Sequence, residues 1–133
     1  MKKVRGIMWL ILLCAVLCAC GDRFDKIDAS QVVNISIWYL IPDQQYELPP
    51  DDLVEFLELY NESEYAGKET GKFGTTPIYG AFIDLKNGDR IEVYAIKETG
   101  IDFHVEIEPD KHFYLNSEDL LCFLEAQMEN ISQ

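Results

Sequence analysis

Asn87-Gly88, set between apolar runs at residues 78–85 and 89–96, constrains this chain more than any other feature. An Asn-Gly pair readily takes the left-handed backbone of a tight turn, so the two runs are expected to be antiparallel neighbours. The side chains then choose the turn length. A two-residue turn would set Asp84 against Ile91 and Ile83 against Glu92, mixing buried and solvated positions on both faces. A three-residue loop with Gly88 at the left-handed bulge position pairs Ile83 with Ile91, Ala81 with Val93 and Tyr79 with Ala95. It also sets Asp84 opposite Arg90, an opposite-charge pair. The bulged turn is the expected one.

Two further stretches carry the period of two that marks a strand with one buried face. In the first, Val33, Ile35, Ile37, Tyr39 and Ile41 alternate with Asn34, Ser36, Trp38 and Leu40, and Pro42 ends the run. In the second, Ile101, Phe103, Val105 and Ile107 alternate with Asp102, His104, Glu106 and Glu108, between turns at Glu98-Thr99-Gly100 and Pro109-Asp110. Residues 112–115 suggest a short additional edge strand. Helical spacing occurs twice. Asp51 and Asp52 suit a first turn ahead of Leu53, Val54, Phe56, Leu57 and Tyr60. Asn116 or Ser117 can cap a last helix striped by Leu120, Leu121, Leu124, Met128 and Ile131. Residues 43–50 and 61–76 read as connections. The second holds Gly67, Gly71 and Gly74 with Lys68 and Lys72, and its length leans towards function or disorder. The expected fold class is α+β: one antiparallel-rich sheet of four to five strands with two helices on one face, in the order β-α-β-β-β-(β)-α.

The chain begins differently. Lys2, Lys3 and Arg5 precede an uncharged run from Gly6 to Ala19. As a helix that run is roughly 21 Å long, short of the ~30 Å hydrocarbon core of a bilayer. A positive start, a short apolar middle and a small residue at the end read as a secretory signal. Leu17-Cys18-Ala19-Cys20 resembles the bacterial lipobox: an aliphatic residue, a tolerant position, a small residue and the cysteine. The resemblance implies cleavage between Ala19 and Cys20, with Cys20 acylated. Cys14 and Cys18 lack a small residue before them and fit less well. The implied organisation is a removed signal at 1–19, an acidic tether at 20–30 and one small domain at 31–133. The rest of the chain is similar, in element order and in its Lys-Asn-Gly-Asp hairpin, to small secreted lipoproteins of Gram-positive bacteria, a likeness that transfers no site residue.

The leader holds three of the 11 Lys and Arg and none of the 24 Asp and Glu, so its removal takes the net charge from −13 to −16. Nucleic acid needs a basic footprint and is excluded as a partner. Anionic lipid would be repelled, which leaves the acyl group on Cys20 as the membrane attachment. Cysteine chemistry reduces to Cys122, placed opposite the last helix's leucines among Glu118, Asp119 and Glu125, as a small boundary residue. No nucleophile elbow, zinc-protease motif, phosphate loop or calcium loop occurs, so no enzyme, cofactor or metal is implied.

Candidate binding residues lie on the sheet face away from the helices. Trp38, Phe82, Tyr94 and Ile96 fall there beside Asn34, Ser36, Arg90 and His104. Aromatic rings rimmed by polar groups suit a protein or glycan contact. Such rings also stabilise a sheet simply by packing, and Tyr94 opposite Gly80 is placed to do so. His104, between Asp102 and Glu106, reads mainly as a solvated strand residue, with His112 a turn away. The expected function is a non-catalytic binding module, lipid-anchored at the extracytoplasmic face of the cell membrane. The alternative is an inhibitor or immunity-type protein whose acidic surface neutralises a basic toxin or enzyme.

Overall fold

The hairpin around Asn87-Gly88 takes the bulged form. In the computed structural model, which describes residues 24–40, 43–68, 77–98, 100–107 and 111–131, Gly88 has φ +96°. Its N–H donates to the Leu85 carbonyl at 3.0 Å, and the Leu85 N–H donates to Asp89 at 2.9 Å. Asn87 closes the turn by accepting from the Asp89 N–H at 2.9 Å. Ile83 faces Ile91, Ala81 faces Val93, and Asp84 faces Arg90, whose Nε sits 2.7 Å from Asp84 Oδ1.

The elements are β1 (Val32–Tyr39), β2 (Gln44–Glu47), α1 (Pro50–Asn61), β3 (Glu64–Lys68), β4 (Tyr79–Leu85), β5 (Arg90–Glu98), β6 (Ile101–Ile107), β7 (Lys111–Asn116) and α2 (Glu118–Ile131). All strand pairs are antiparallel, in one seven-stranded sheet ordered β2-β1-β4-β5-β6-β7-β3. The fold class is α+β with two helices, and the sheet is larger than the four to five strands expected. The two extra strands come from stretches read as connections, and they form the two edges. Every residue of β2 is exposed, and β3 bulges between Tyr65 and Gly67, where φ is +113°. Short, polar, bulged strands carry no hydrophobic period, because backbone pairing to a neighbour forms them rather than burial. With β3 outside it, β7 is an interior strand and not an edge.

Alternate strand residues form the core face: Ile35 and Ile37 of β1, Ala81 and Ile83 of β4, Val93 of β5, Phe103 and Val105 of β6 and Leu115 of β7 are at most about 0% exposed. Phe56, Leu57 and Tyr60 of α1 and Leu120, Phe123 and Leu124 of α2 join the same cluster. Val54 points outward at 47% exposed, although its spacing suggested the stripe, and Phe123 takes a core position that Met128 and Ile131 only flank. Ser117 caps α2 by accepting from the Leu120 N–H at 3.1 Å. Asp102 holds that cap in place, its carboxylate accepting from the Ser117 N–H at 2.8 Å while its own N–H donates to Asn116 at 3.0 Å. The segment just before β1 also packs on the domain: Phe24 meets Tyr60 edge-on and stacks on Phe113, and Ile27 exchanges two hydrogen bonds with Asn61.

Candidate functional site

The registers place one residue from each strand in a row across the open face. Gln45, Trp38, Gly80, Tyr94, His104, Tyr114 and Gly67 follow one another from edge to edge. A second row, two residues along each strand, runs Glu47, Ser36, Phe82, Glu92, Glu106, His112. Residues directly opposite in an antiparallel pair share a face, so both rows look away from the helices.

The rings of these rows touch in sequence. Trp38 stacks on Phe82 and meets Tyr94 edge-on, each at 5.7 Å between centroids. Tyr94 stacks on His104 at 5.9 Å, and His104 stacks on His112 at 5.3 Å and tilts against Tyr114 at 5.5 Å. The four residues proposed from sequence, Trp38, Phe82, Tyr94 and His104, therefore form one continuous strip over β1, β4, β5 and β6. Such offset and edge-on contacts add stability beyond the area they bury.

Gly80 explains why the strip crosses β4 without a gap. A Cβ there would lie 2.9 Å from Trp38 Cζ2 and 2.0 Å from the Val93 carbonyl oxygen. The indole lies over this bare backbone between Trp38 and Tyr94, so part of the strip's role is to cover the sheet. The Trp38 Nε1–H is buried there and has no hydrogen-bond partner among the described residues.

His104 departs from its sequence reading. It is 1% exposed rather than solvated, because Tyr94, His112 and Tyr114 cover its ring. His112 is not a turn away: β6 and β7 pair Glu106 with His112, which brings His112 Nδ1 within 3.3 Å of His104 Nε2. His112 and Tyr114 are the members of the strip that sequence reasoning missed. The signal for them is parity, since both share the phase of His104 once β6 and β7 pair antiparallel.

Charge is distributed unevenly over the face. Arg90 holds its guanidinium 4.7 Å above the Phe82 ring and pairs with Asp84, whose hydrogen bond raises the arginine's pKa further. Glu92 and Glu106 stand directly opposite each other, both half-buried. The Tyr94 hydroxyl donates to Glu92. Burial, that hydrogen bond and the two carboxylate charges all push the Tyr94 pKa up, so the phenol stays protonated at any physiological pH.

Elsewhere there is less. A recess of about 320 Å³ at the β7–β3 end is lined by Phe24, Tyr65, Lys68, Lys111 and His112. Cys122 is exposed and free on α2. Among the described residues no group of three or more His, Cys, Asp or Glu is arranged to hold a metal ion, and no helix is long and apolar enough to cross a membrane. Cys20 and residues 69–76 of the 61–76 connection lie outside the described residues. Comparison of the chain with protein-family models, curated proteins and solved structures returns no match.

Proposed function

We propose that this protein is a non-catalytic binding module, tethered to the outer face of the cell membrane by lipid on Cys20, that holds a protein partner against the open face of its sheet. The continuous strip of Trp38, Phe82, Tyr94 and His104, extended by His112 and Tyr114, carries the reading. Trp38, Phe82, Tyr94, His112 and Tyr114 are half-buried, so the strip keeps a solvent-facing aromatic surface. Trp and Tyr are the side chains most often found at the centre of protein contacts, where rigid rings bury area at low entropic loss. The tether rests on the lipobox-like residues 17–20.

A photoreactive phenylalanine placed at position 82 or at the exposed Val54 of α1 tests the contact face in living host cells. Adducts from position 82 and none from position 54 are expected. Equal yields from the two, or none from position 82, would defeat the proposal. The anchor has its own test: Cys20→Ser should shift the protein from the membrane fraction to the soluble fraction, and unchanged fractionation would refute lipid attachment.

A further inference from the structure

The open face already holds one cation of its own, in a defined way. Arg90 lies over the Phe82 ring at 4.7 Å while its Nε donates to Asp84 at 2.7 Å and its Nη2 to the same carboxylate at 3.3 Å. A ring supplies the floor and a carboxylate supplies the wall, an arrangement suited to a planar guanidinium.

One strand further on, the same parts recur with no ion-paired cation among the described residues, although the Arg90 charge reaches Glu92 from a distance. Tyr94 and His104 form a stacked floor. Glu92 and Glu106 stand beside it, directly across from each other on β5 and β6. Like charges directly opposite on one face of an antiparallel pair destabilise the sheet. The Tyr94 hydroxyl relieves this only in part, because it donates to Glu92 and a phenol brings no charge. Neither carboxylate has an ion-pair partner among the described residues, and both are half-buried, where a charge is more expensive to leave unmatched. A visiting guanidinium would meet both carboxylates with a bidentate fork and lie over the rings. The chain's net charge of −13 would draw a basic segment to this face.

We infer that the open face receives an arginine side chain of a basic polypeptide segment, seated over Tyr94 and between Glu92 and Glu106. The inference rests on the binding-module reading above and names the chemistry of its partner. A short synthetic peptide of alternating arginine and serine is the probe, titrated calorimetrically into the full chain in neutral detergent. The peptide should bind, and a matching peptide with citrulline for arginine should not. In the double variant Glu92→Gln with Glu106→Gln, affinity should fall by about tenfold or more. The melting temperature of that variant should hold or rise, because the like-charge pair is gone. A control double variant, Glu55→Gln with Glu58→Gln on the exposed side of α1, removes the same charge and should leave affinity within about twofold. Equal losses in the two double variants would reduce the effect to net charge and overturn the inference. So would absent binding by the native chain, citrulline peptide bound as tightly, or spermidine bound as tightly as the peptide. Photo-adducts from position 82 in a chain that ignores the peptide would sink the arginine site while leaving the contact face standing.

Discussion

The two faces of this sheet are built from the same strands by opposite means. Towards the helices stand Ile35, Ile37, Ile83, Val93, Val105 and Leu115, aliphatic and fully buried under α1 and α2. Away from them stand Trp38, Tyr94, His104, His112 and Tyr114, rings with polar atoms that neither helix covers. Yet His104 is as inaccessible as a core residue. A layer of helices buries its neighbours by excluding water over a wide area. A strip of stacked rings buries only its own centre and leaves its upper edges exposed. The first arrangement suits stability, and the second leaves a surface that can still gain by being covered.

The sharpest test of that contrast pairs two phenylalanines. Phe103 is 0% exposed on the core face of β6, and Phe82 is half-buried on the open face of β4. Phe103→Ala should lower unfolding free energy in urea by about 3–5 kcal/mol, the range for emptying a sealed aromatic site. Phe82→Ala should lower it by less than about 2 kcal/mol, since water can enter the space and part of the ring was already wet. Equal losses would mean the open face is a second core and not a surface held in reserve.

Next in size is Gly80→Ala, which asks whether the strip or the backbone beneath it sets the limit at that position. The new methyl would sit 2.0 Å from the Val93 carbonyl oxygen, a contact no side-chain rotation relieves, and 2.9 Å from the indole. A loss of about 2–3 kcal/mol is expected. Adding Trp38→Ala should not restore it, because the tighter obstacle is main chain. Recovery in the double variant would show that the ring alone excludes the methyl.

These positions also show what could be read from the chain itself. The β4–β5 hairpin was legible to the residue, because Asn87-Gly88 dictates a turn and Ile83 against Ile91 dictates its register. The parity of Trp38, Phe82 and Tyr94 followed from the same alternation. The edge strands were not legible: Gln44-Gln45-Tyr46-Glu47 is exposed at every residue, so no periodicity marks it. The burial of His104 was hidden for a different reason. A histidine between Asp102 and Glu106 looks solvated until the β6–β7 register stacks His112 on it and Tyr114 against it, and that register is a property of the strand pair, which the alternation within β6 alone does not report. Local pattern reports which face a residue takes, and only the assembled sheet reports what stands beside it.

The smallest effect near neutral pH separates two tyrosines whose pKa values are both raised. Tyr60 lies on the buried side of α1 at 0% exposed, and its hydroxyl has no hydrogen-bond partner among the described residues. Burial, with a minor contribution from the Asp25 charge, pushes its pKa above the ordinary value of 10.0. Tyr94 is raised by burial and by its bond to Glu92, but it remains open to solvent, which weakens the effect on stability. A raised acid favours its protonated form when folded. The associated stability is therefore whole below pH 10 and is lost as pH rises from there towards the folded-state value, by up to about 1.4 kcal/mol per pH unit for one group. Tyr60→Phe should leave stability at pH 7 within about 0.5 kcal/mol of native or slightly above it, since an unpartnered hydroxyl is removed. It should also flatten the decline in melting temperature above pH 10, and Tyr94→Phe should flatten it less. A loss above about 1 kcal/mol at pH 7 for Tyr60→Phe would reveal a bonded hydroxyl. An unaltered alkaline decline would place the titrating group outside the core, and with it the view that the helix-covered face resists ionisation more strongly than the stacked one.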